Sequence, residues 1–386
     1  MLTQIELRHF KCFRQLKLPL RPLTLLAGSN ASGKSSVIQA IVLLHQTMRE
    51  HEWSARLMLN GSVIRLGTVV DVIDQVYGRR SCSITLKDGD EDWFAWEFEG
   101  KRNEMSMGVK GIRGATGAGE PWEVDPSSVA QFHYLLPREV SEHSLTARLR
   151  RLTYLTAERI GPRETYPHDD PQLTPVVGPT GEYAVSLLHI GRDRGVLSGL
   201  AIQGIPSTRF RQVEACMSRF FPGCVLKVAQ VPGANAATLG IRISEETDFL
   251  RPTHTGFGIT QVLPLVVAAL SSETGGLLLI ENPEVHLHPA GQASMGHFLA
   301  KAAAAGAQII LETHSDHVLN GVRRAVKESL LLSESVALHF FQPRTADMEL
   351  PQVQSPVLDD TGGIDHWPDG FFDQFDKDMN YFAGWE

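Results

Sequence analysis

The chain has 386 residues, 42% of them hydrophobic, enough for a large core and for roughly two or three domains' worth of fold. A formal net charge of −8 argues against a globally basic nucleic-acid coat, while a local basic groove stays compatible with it. Four cysteines without a C-x-x-C pair, no apolar run of membrane-spanning length and no signal-peptide core in MLTQIELRHFKCF point to reduced thiols in a cytoplasmic protein, not to a disulfide or zinc framework.

Leu2–Leu7 alternates and is expected to pair as a hairpin with Gln15–Leu18. Between them lies His9-Phe10-Lys11-Cys12-Phe13, where Lys11 and its aromatic neighbours either meet a nucleotide's base or sugar or form a plain hydrophobic tip. The apolar run Leu23–Ala27 then enters GSNASGKSS, with G-x-x-x-x-G-K-S spacing, ahead of a helix expected over Lys34–Met48. Strand, glycine-rich loop and helix in this order form a phosphate-binding loop, and therefore imply a nucleotide. Glycines let the backbone N–H groups face inward, and the positive helix end faces the same point. Lys34 reaches outer phosphates and the Ser35 hydroxyl holds Mg²⁺ in such loops.

Ser81–Lys87 and Trp93–Glu99 read as an antiparallel pair turning at Asp88-Gly89-Asp90, and the glycine-rich stretch Lys101–Glu120 as loop or weak strand. Val129–Arg151 reads as a helix ending in Arg148, Arg150 and Arg151, either a solvated face or a nucleic-acid contact. Leu152–Arg163 is an apolar strand followed by Arg159 and Arg163 around a Gly-Pro turn, able to touch phosphate, a partner or acidic neighbours. Glu164–Glu182 is expected as a long loop, Tyr183–His189 and Arg209–Phe221 as helices, and Cys224–Val231 and Ala237–Ser244 as strands.

Thr255–Gln261 is a small-residue loop opening a helix at Val262–Leu270, which is either an anion-binding geometry or an ordinary loop. Leu277–Glu281, LLLIE, carries an acid to a strand end, where it can hold Mg²⁺ or its water. A second apolar strand, Gln308–Glu312, runs into Thr313-His314-Ser315 and a helix, Asp316–Lys327, with Ser315 as a candidate N-cap. His286 and His288 have the spacing of a metal pair, but no further Cys or His cluster accompanies them. The acids Asp359, Asp360, Asp365 and Asp369 read as a solvated turn, with a nuclease metal site as the rival reading.

Taken in order, FKCF, GSNASGKSS, TGFGITQVLP, LLLIENPEVHLHP and LETHSDH resemble the RecF/SMC-like branch of ABC-type ATPases, specifically the bacterial OLD-related group, over most of the chain. Leu358–Phe375 resembles a terminal module of a subset of them. The resemblance implies an α/β P-loop ABC-type ATPase head with a mixed central sheet, an antiparallel β subdomain and a helical lobe. It divides the chain at about residues 100, 250 and 345. Gly28, Asn30, Ala31, Ser32, Gly33, Lys34, Ser35 and Ser36 would form the Walker A loop, and Gly256, Gly258 and Gln261 the signature segment capping ATP across a homodimer. Glu281 would be the Walker B acid and, with Ser35, the Mg²⁺ ligand; His286–Pro289 would be the D-loop and His314 the γ-phosphate switch. Asn282 stands where many relatives carry the glutamate that polarises water, with Glu284 as the alternative base, so ATP binding is the firmer expectation than rapid turnover. The group implies an output on DNA or on a separate nuclease or toxin partner, in defence against phage, and no membrane partner.

Overall fold

The computed structural model describes residues 1–76, 79–89, 91–117, 119–129, 131–169, 176–344 and 352–385. They form two compact units, Met1–Leu152 with His339–Ser355, and Thr153–Leu338 with Pro356–Glu386.

In the first unit, β1 (Leu2–Phe10) and β2 (Phe13–Pro19) form the expected hairpin, burying Ile5, Leu7, Leu16 and Leu18 on one face. β3 (Leu23–Gly28) is apolar but for Thr24 and is buried from Leu23 to Ala27, as a strand covered on both sides must be. After α1 (Lys34–Glu50) come β4 (Arg56–Met58), the single turn α2 (Val69–Val72), β5 (Ser81–Asp88), β6 (Asp92–Glu99), β7 (Ser106–Ala115) and β8 (Trp122–Val124). These strands make one antiparallel sheet, ordered β2-β1-β5-β6-β7-β4 with β8 on β7. The β5–β6 pair matches expectation, Asp90 of its turn lying outside the described residues.

Two expectations change here. Lys101–Glu120 contains the full strand β7, in which Gly114 is required rather than disruptive: a Cβ there would stand 2.6 Å from the Trp122 ring. Val129–Arg151 is not one helix. It holds the small hairpin β9 (Phe132–His133) and β10 (Leu136–Pro137), and only then α3 (Ser144–Arg150). Tyr134 and Leu135 take φ of 54° and 59°, the left-handed pair that a two-residue hairpin turn demands, and Trp96 Nε1 donates to Leu135 O at 2.9 Å. The helix starts where His143 Nδ1 accepts from Leu145 N. Its basic end is engaged within the unit. Arg148 pairs with the buried Asp88, which also meets the N-terminal ammonium at 2.9 Å, and Arg150 lies 4.0 Å over the Tyr134 ring.

The second unit opens with β11 (Thr153–Leu155), β12 (Tyr166–Pro167), α4 (Ala184–Ile190), α5 (Arg209–Phe220), β13 (Val225–Gln230), β14 (Ala236–Arg242) and α6 (Phe257–Ser271). β15 (Leu277–Glu281), α7 (Pro289–Ala304), β16 (Gln308–Glu312) and α8 (Asp316–Lys327) follow. β11, β15 and β16 run parallel in that order, with Leu277–Ile280 and Ile309–Leu311 buried; β12-β14-β13 is a separate antiparallel sheet. α7 and α8 approach so closely that a Cβ on Gly296 would stand 2.0 Å from Val318 O, and one on Gly321 2.0 Å from Ala293 O. The helix expected from Val262 begins five residues earlier, at Phe257, and tolerates Pro264 in its interior. The expected loop Glu164–Glu182 includes β12, and its residues 170–175 lie outside the described residues. Near the end of the chain, β17 (Val336–Phe341) pairs antiparallel with β18 (Val353–Gln354), and α9 (Gln374–Ala383) follows.

Two histidines of the first unit are buried and neutral. His45 Nδ1 donates to Leu149 O at 2.6 Å; His339 Nε2 donates to Pro19 O at 2.8 Å, while its Nδ1 meets Ser355 Oγ at 2.8 Å. Burial pulls each pKa down from 6.5 to about 4. The unfolded chain therefore binds protons that the folded chain refuses. Stability is complete above pH 6.5 and is lost as pH falls toward 4, by up to about 3 kcal/mol per ring. Urea unfolding at stepped pH is expected to show this decline, shallower in His339→Gln; a flat profile in wild type would refute it.

Candidate functional site

The phosphate loop leaves β3 through a tight turn that only particular residues can make. Gly28 has φ +134°, and a Cβ on it would stand 2.1 Å from Phe341 O. Ala31 takes φ 60°. Gly33, at φ +105°, caps α1 with no side chain closing the helix end, and a Cβ on it would stand 2.5 Å from both Cys12 Sγ and Phe13 Cζ. Asn30 and Ala31 are exposed, Ser35 half-buried, and Ser32 and Ser36 buried; Ser32 Oγ donates to Ser29 O at 2.8 Å. Lys34 is buried, its ammonium donating to Gly28 O at 3.0 Å and Ser29 O at 2.7 Å, so the positive charge sits inside the curl of the loop. Backbone amides at an uncapped helix start, a buried ammonium and a serine hydroxyl suit a polyphosphate with its Mg²⁺.

The hairpin tip leans on this loop. Lys11, at φ 50°, donates Nζ to Gln39 Oε1 on α1, and burial lowers its pKa. Cys12 is held by Arg344, whose Nη1 lies 3.5 Å from Cys12 O and 3.3 Å from the buried Asp74 carboxylate. Burial pushes the Cys12 thiol up.

In the second unit, the carboxyl end of β15 is tied down from several sides. Glu281 Oε1 accepts from Tyr154 OH at 2.8 Å and Oε2 from Ala157 N at 3.2 Å. Burial and the neighbouring Glu281 raise the Tyr154 pKa, so the phenol stays a donor. Asn282 takes φ 45°, and its N–H donates to Glu312 O at 2.8 Å. Glu284 Oε2 accepts from Thr313 Oγ1 and Oε1 from His314 N, both at 2.8 Å, so its carboxylate braces the loop after β16. His314 Nε2 lies 4.0 Å from Glu312 Oε1. Ser315 caps α8 as expected, accepting from Val318 N at 3.2 Å.

Gly256 caps α6 without a side-chain bond and is exposed, as is Phe257, whose ring lies tilted against His286 with 5.6 Å between the centroids. Gly258 lies against the backbone of His286, where a Cβ would stand 3.0 Å from its carbonyl oxygen. Gln261 points inward, donating Nε2 to Arg159 O at 3.2 Å and Ile160 O at 3.4 Å. His286 and His288 are exposed, and among the described residues no group of three or more His, Cys, Asp or Glu could hold a metal.

Sequence reasoning missed Tyr154 and left the role of Arg159 open. Tyr154 carries no motif, and only its place one strand over from Glu281 reveals it. The terminal acids are occupied locally: Asp359 Oδ1 accepts from Thr361 N, Thr361 Oγ1 and Gly363 N, and Asp360 from Ser333 Oγ.

Comparison with known proteins completes the picture. Residues 1–109 match the family described as "AAA ATPase domain", residues 143–320 "AAA domain, putative AbiEii toxin, Type IV TA system", and residues 331–381 "Protein of unknown function (DUF3696)". The SMC head bound to the C-terminal winged-helix domain of ScpA superposes with a TM-score of 0.56 at 13% identity, covering 92% of this chain and 98% of that one. The Pyrococcus furiosus SMC head with an extended coiled coil does so with a TM-score of 0.55 at 12% identity, over 100% and 99%. Two of the three matched families are ATPase domains. The chain's fold is the ABC-type P-loop head. A 44-residue stretch of the ATPase is 39% identical to the OLD nuclease of Thermus scotoductus, a match spanning 11% of this chain and only 8% of that protein.

Gly28→Ala is expected to lower the ATPase's unfolding free energy by at least about 3 kcal/mol, since neither φ nor the Phe341 backbone has room to give. Denaturant unfolding checks this; an unchanged midpoint would mean the loop can be rebuilt.

Proposed function

We propose that the protein binds Mg·ATP and that two copies close around two nucleotides, each giving its phosphate loop to one and its α6 amino end to the other. The observation that carries this reading is the loop Gly28–Ser36, with Lys34 buried inside its curl ahead of an uncapped helix. In it, Gly28, Asn30, Ala31, Ser32, Gly33, Lys34, Ser35 and Ser36 take the phosphates, and Lys11 lies at the base or sugar. Ser35 and Glu281 hold Mg²⁺. Gly256, Gly258 and Gln261 belong to the segment facing the partner's nucleotide, and His314 senses the outer phosphate. Bound Mg²⁺ supplies charge neutralisation at the transferring phosphoryl group.

At position 282 an amide orients water but cannot take its proton, and Glu284 is engaged with Thr313 and His314. Turnover is therefore slow, and closure itself is the output, a population shift set by nucleotide. That output controls a DNA-directed nuclease or toxin supplied by a separate chain, in defence against phage within the cytoplasm. Support comes from the family matches and the short OLD likeness. No described helix is long and apolar enough to cross a membrane.

Mass in solution with and without Mg·ATP, read beside phosphate release, tests the core of this proposal. Wild type is expected to double its mass on ATP and Lys34→Ala to stay monomeric with no release; identical behaviour of the two would sink it. Asn282→Glu is expected to raise phosphate release at least about ten-fold, the low end of what a positioned base supplies, and a fall would assign water activation elsewhere.

A further inference from the structure

Arg159 is buried, yet the hydrogen bonds of its guanidinium all go to backbone carbonyls. Nη1 donates to Glu281 O at 2.8 Å and Thr156 O at 3.2 Å, and Nη2 to Asn282 O at 2.7 Å. Nε is buried without a partner. Burial lowers its pKa to about 10, with Glu284 and Glu281 opposing the shift, so the group stays charged at neutral pH. A desolvated cation with an unmade bond is costly to keep. A lysine ammonium, a point charge, would not match two successive carbonyls as the planar fork does.

The same short segment is gripped on its other side by α6. Gln261 donates to the carbonyls of Arg159 and Ile160, and Phe257 closes over Gly161, where a Cβ would stand 3.1 Å from its ring. The backbone of 159–161 thus follows the first turns of α6, while the Arg159 side chain fixes the turn that bears Glu281 and Asn282.

We propose that Arg159 is a positioning residue, a strut that transmits the placement of the α6 amino end to the Glu281–Asn282 turn. This rests on the reading that α6 begins the nucleotide-facing segment and that Glu281 is the Mg²⁺ acid. When α6 shifts as a nucleotide is capped, Gln261 pulls the 159–160 backbone, and the guanidinium moves both carbonyls of the turn with it. Whatever group acts at position 282 is aligned only while the strut is taut.

The test uses the full chain without nucleotide, so that it stands apart from turnover. Amide hydrogen exchange is followed at the Asn282 N–H, whose bond to Glu312 O reports on the turn. Gln261→Glu touches neither Glu281 nor Asn282, yet it is expected to speed exchange there at least ten-fold, with β16 amides unchanged. Exchange at Asn282 equal to wild type in Gln261→Glu overturns the strut, whether or not ATP is hydrolysed. With Mg·ATP, Arg159→Lys is expected to bind nucleotide within three-fold of wild type but to lose at least ten-fold in kcat with KM little changed. If wild type releases no phosphate, the proposed turnover fails while the exchange result still decides the strut.

Discussion

A chain leaving a buried strand must turn at once without stranding its polar backbone, and that constraint shapes both the loop after β3 in the first unit and the turn after β15 in the second. At β3 the solution is glycine: Gly28 and Gly33, at φ +134° and +105°, let the loop fold against Phe341, Cys12 and Phe13 where no Cβ fits. At β15 the solution is asparagine with help. Asn282 takes φ 45°, and its N–H and C=O are pinned by Glu312 O and Arg159. Such conformations cost energy and persist because the surroundings over-determine them. In both places the structure holds polar groups in a fixed geometry at a strand's carboxyl edge, where nucleotide-binding sheets put their chemistry.

The motif-bearing elements were legible because their signal is local. An apolar run into G-x-x-x-x-G-K-S, and LLLIE and QIILE as buried parallel strands, need no distant partner to be recognised. Val129–Arg151 misled because its apolar spacing suits a helix, while Pro137 and the left-handed Tyr134 and Leu135 favour a hairpin that Trp96 then secures from a strand far away in sequence. The start of α6 was placed late because glycine at 256 and 258 looks like loop. Instead Gly256 serves as N-cap, and Gly258 is the residue that lets the first turn lie against the His286 carbonyl. Tyr154 and the guanidinium bonds of Arg159 had no sequence signature at all, since each acts on a residue more than a hundred positions away.

Identity of 12–13% with SMC heads, over nearly the whole of each chain, fits the same distinction. Cores accept volume-conserving exchanges as long as pattern and size are kept. Close backbone approaches do not. The α7–α8 contact through Gly296 and Gly321 admits no added atom, and neither does Gly28. The fold therefore survives on patterning plus a few sterically fixed points, and likeness at this level speaks for architecture alone.

Asn282 can be understood from the backbone before any chemistry is asked of it. Its three described hydrogen bonds all use its main-chain atoms, so they place no demand on the side chain. What the position demands is a left-handed φ, and asparagine is among the non-glycine residues that meet it at least cost. A glutamate there would carry a base but would pay more in backbone strain, and the turn would lean harder on Arg159 to hold it. With asparagine the turn is easier to hold and poorer at taking a proton.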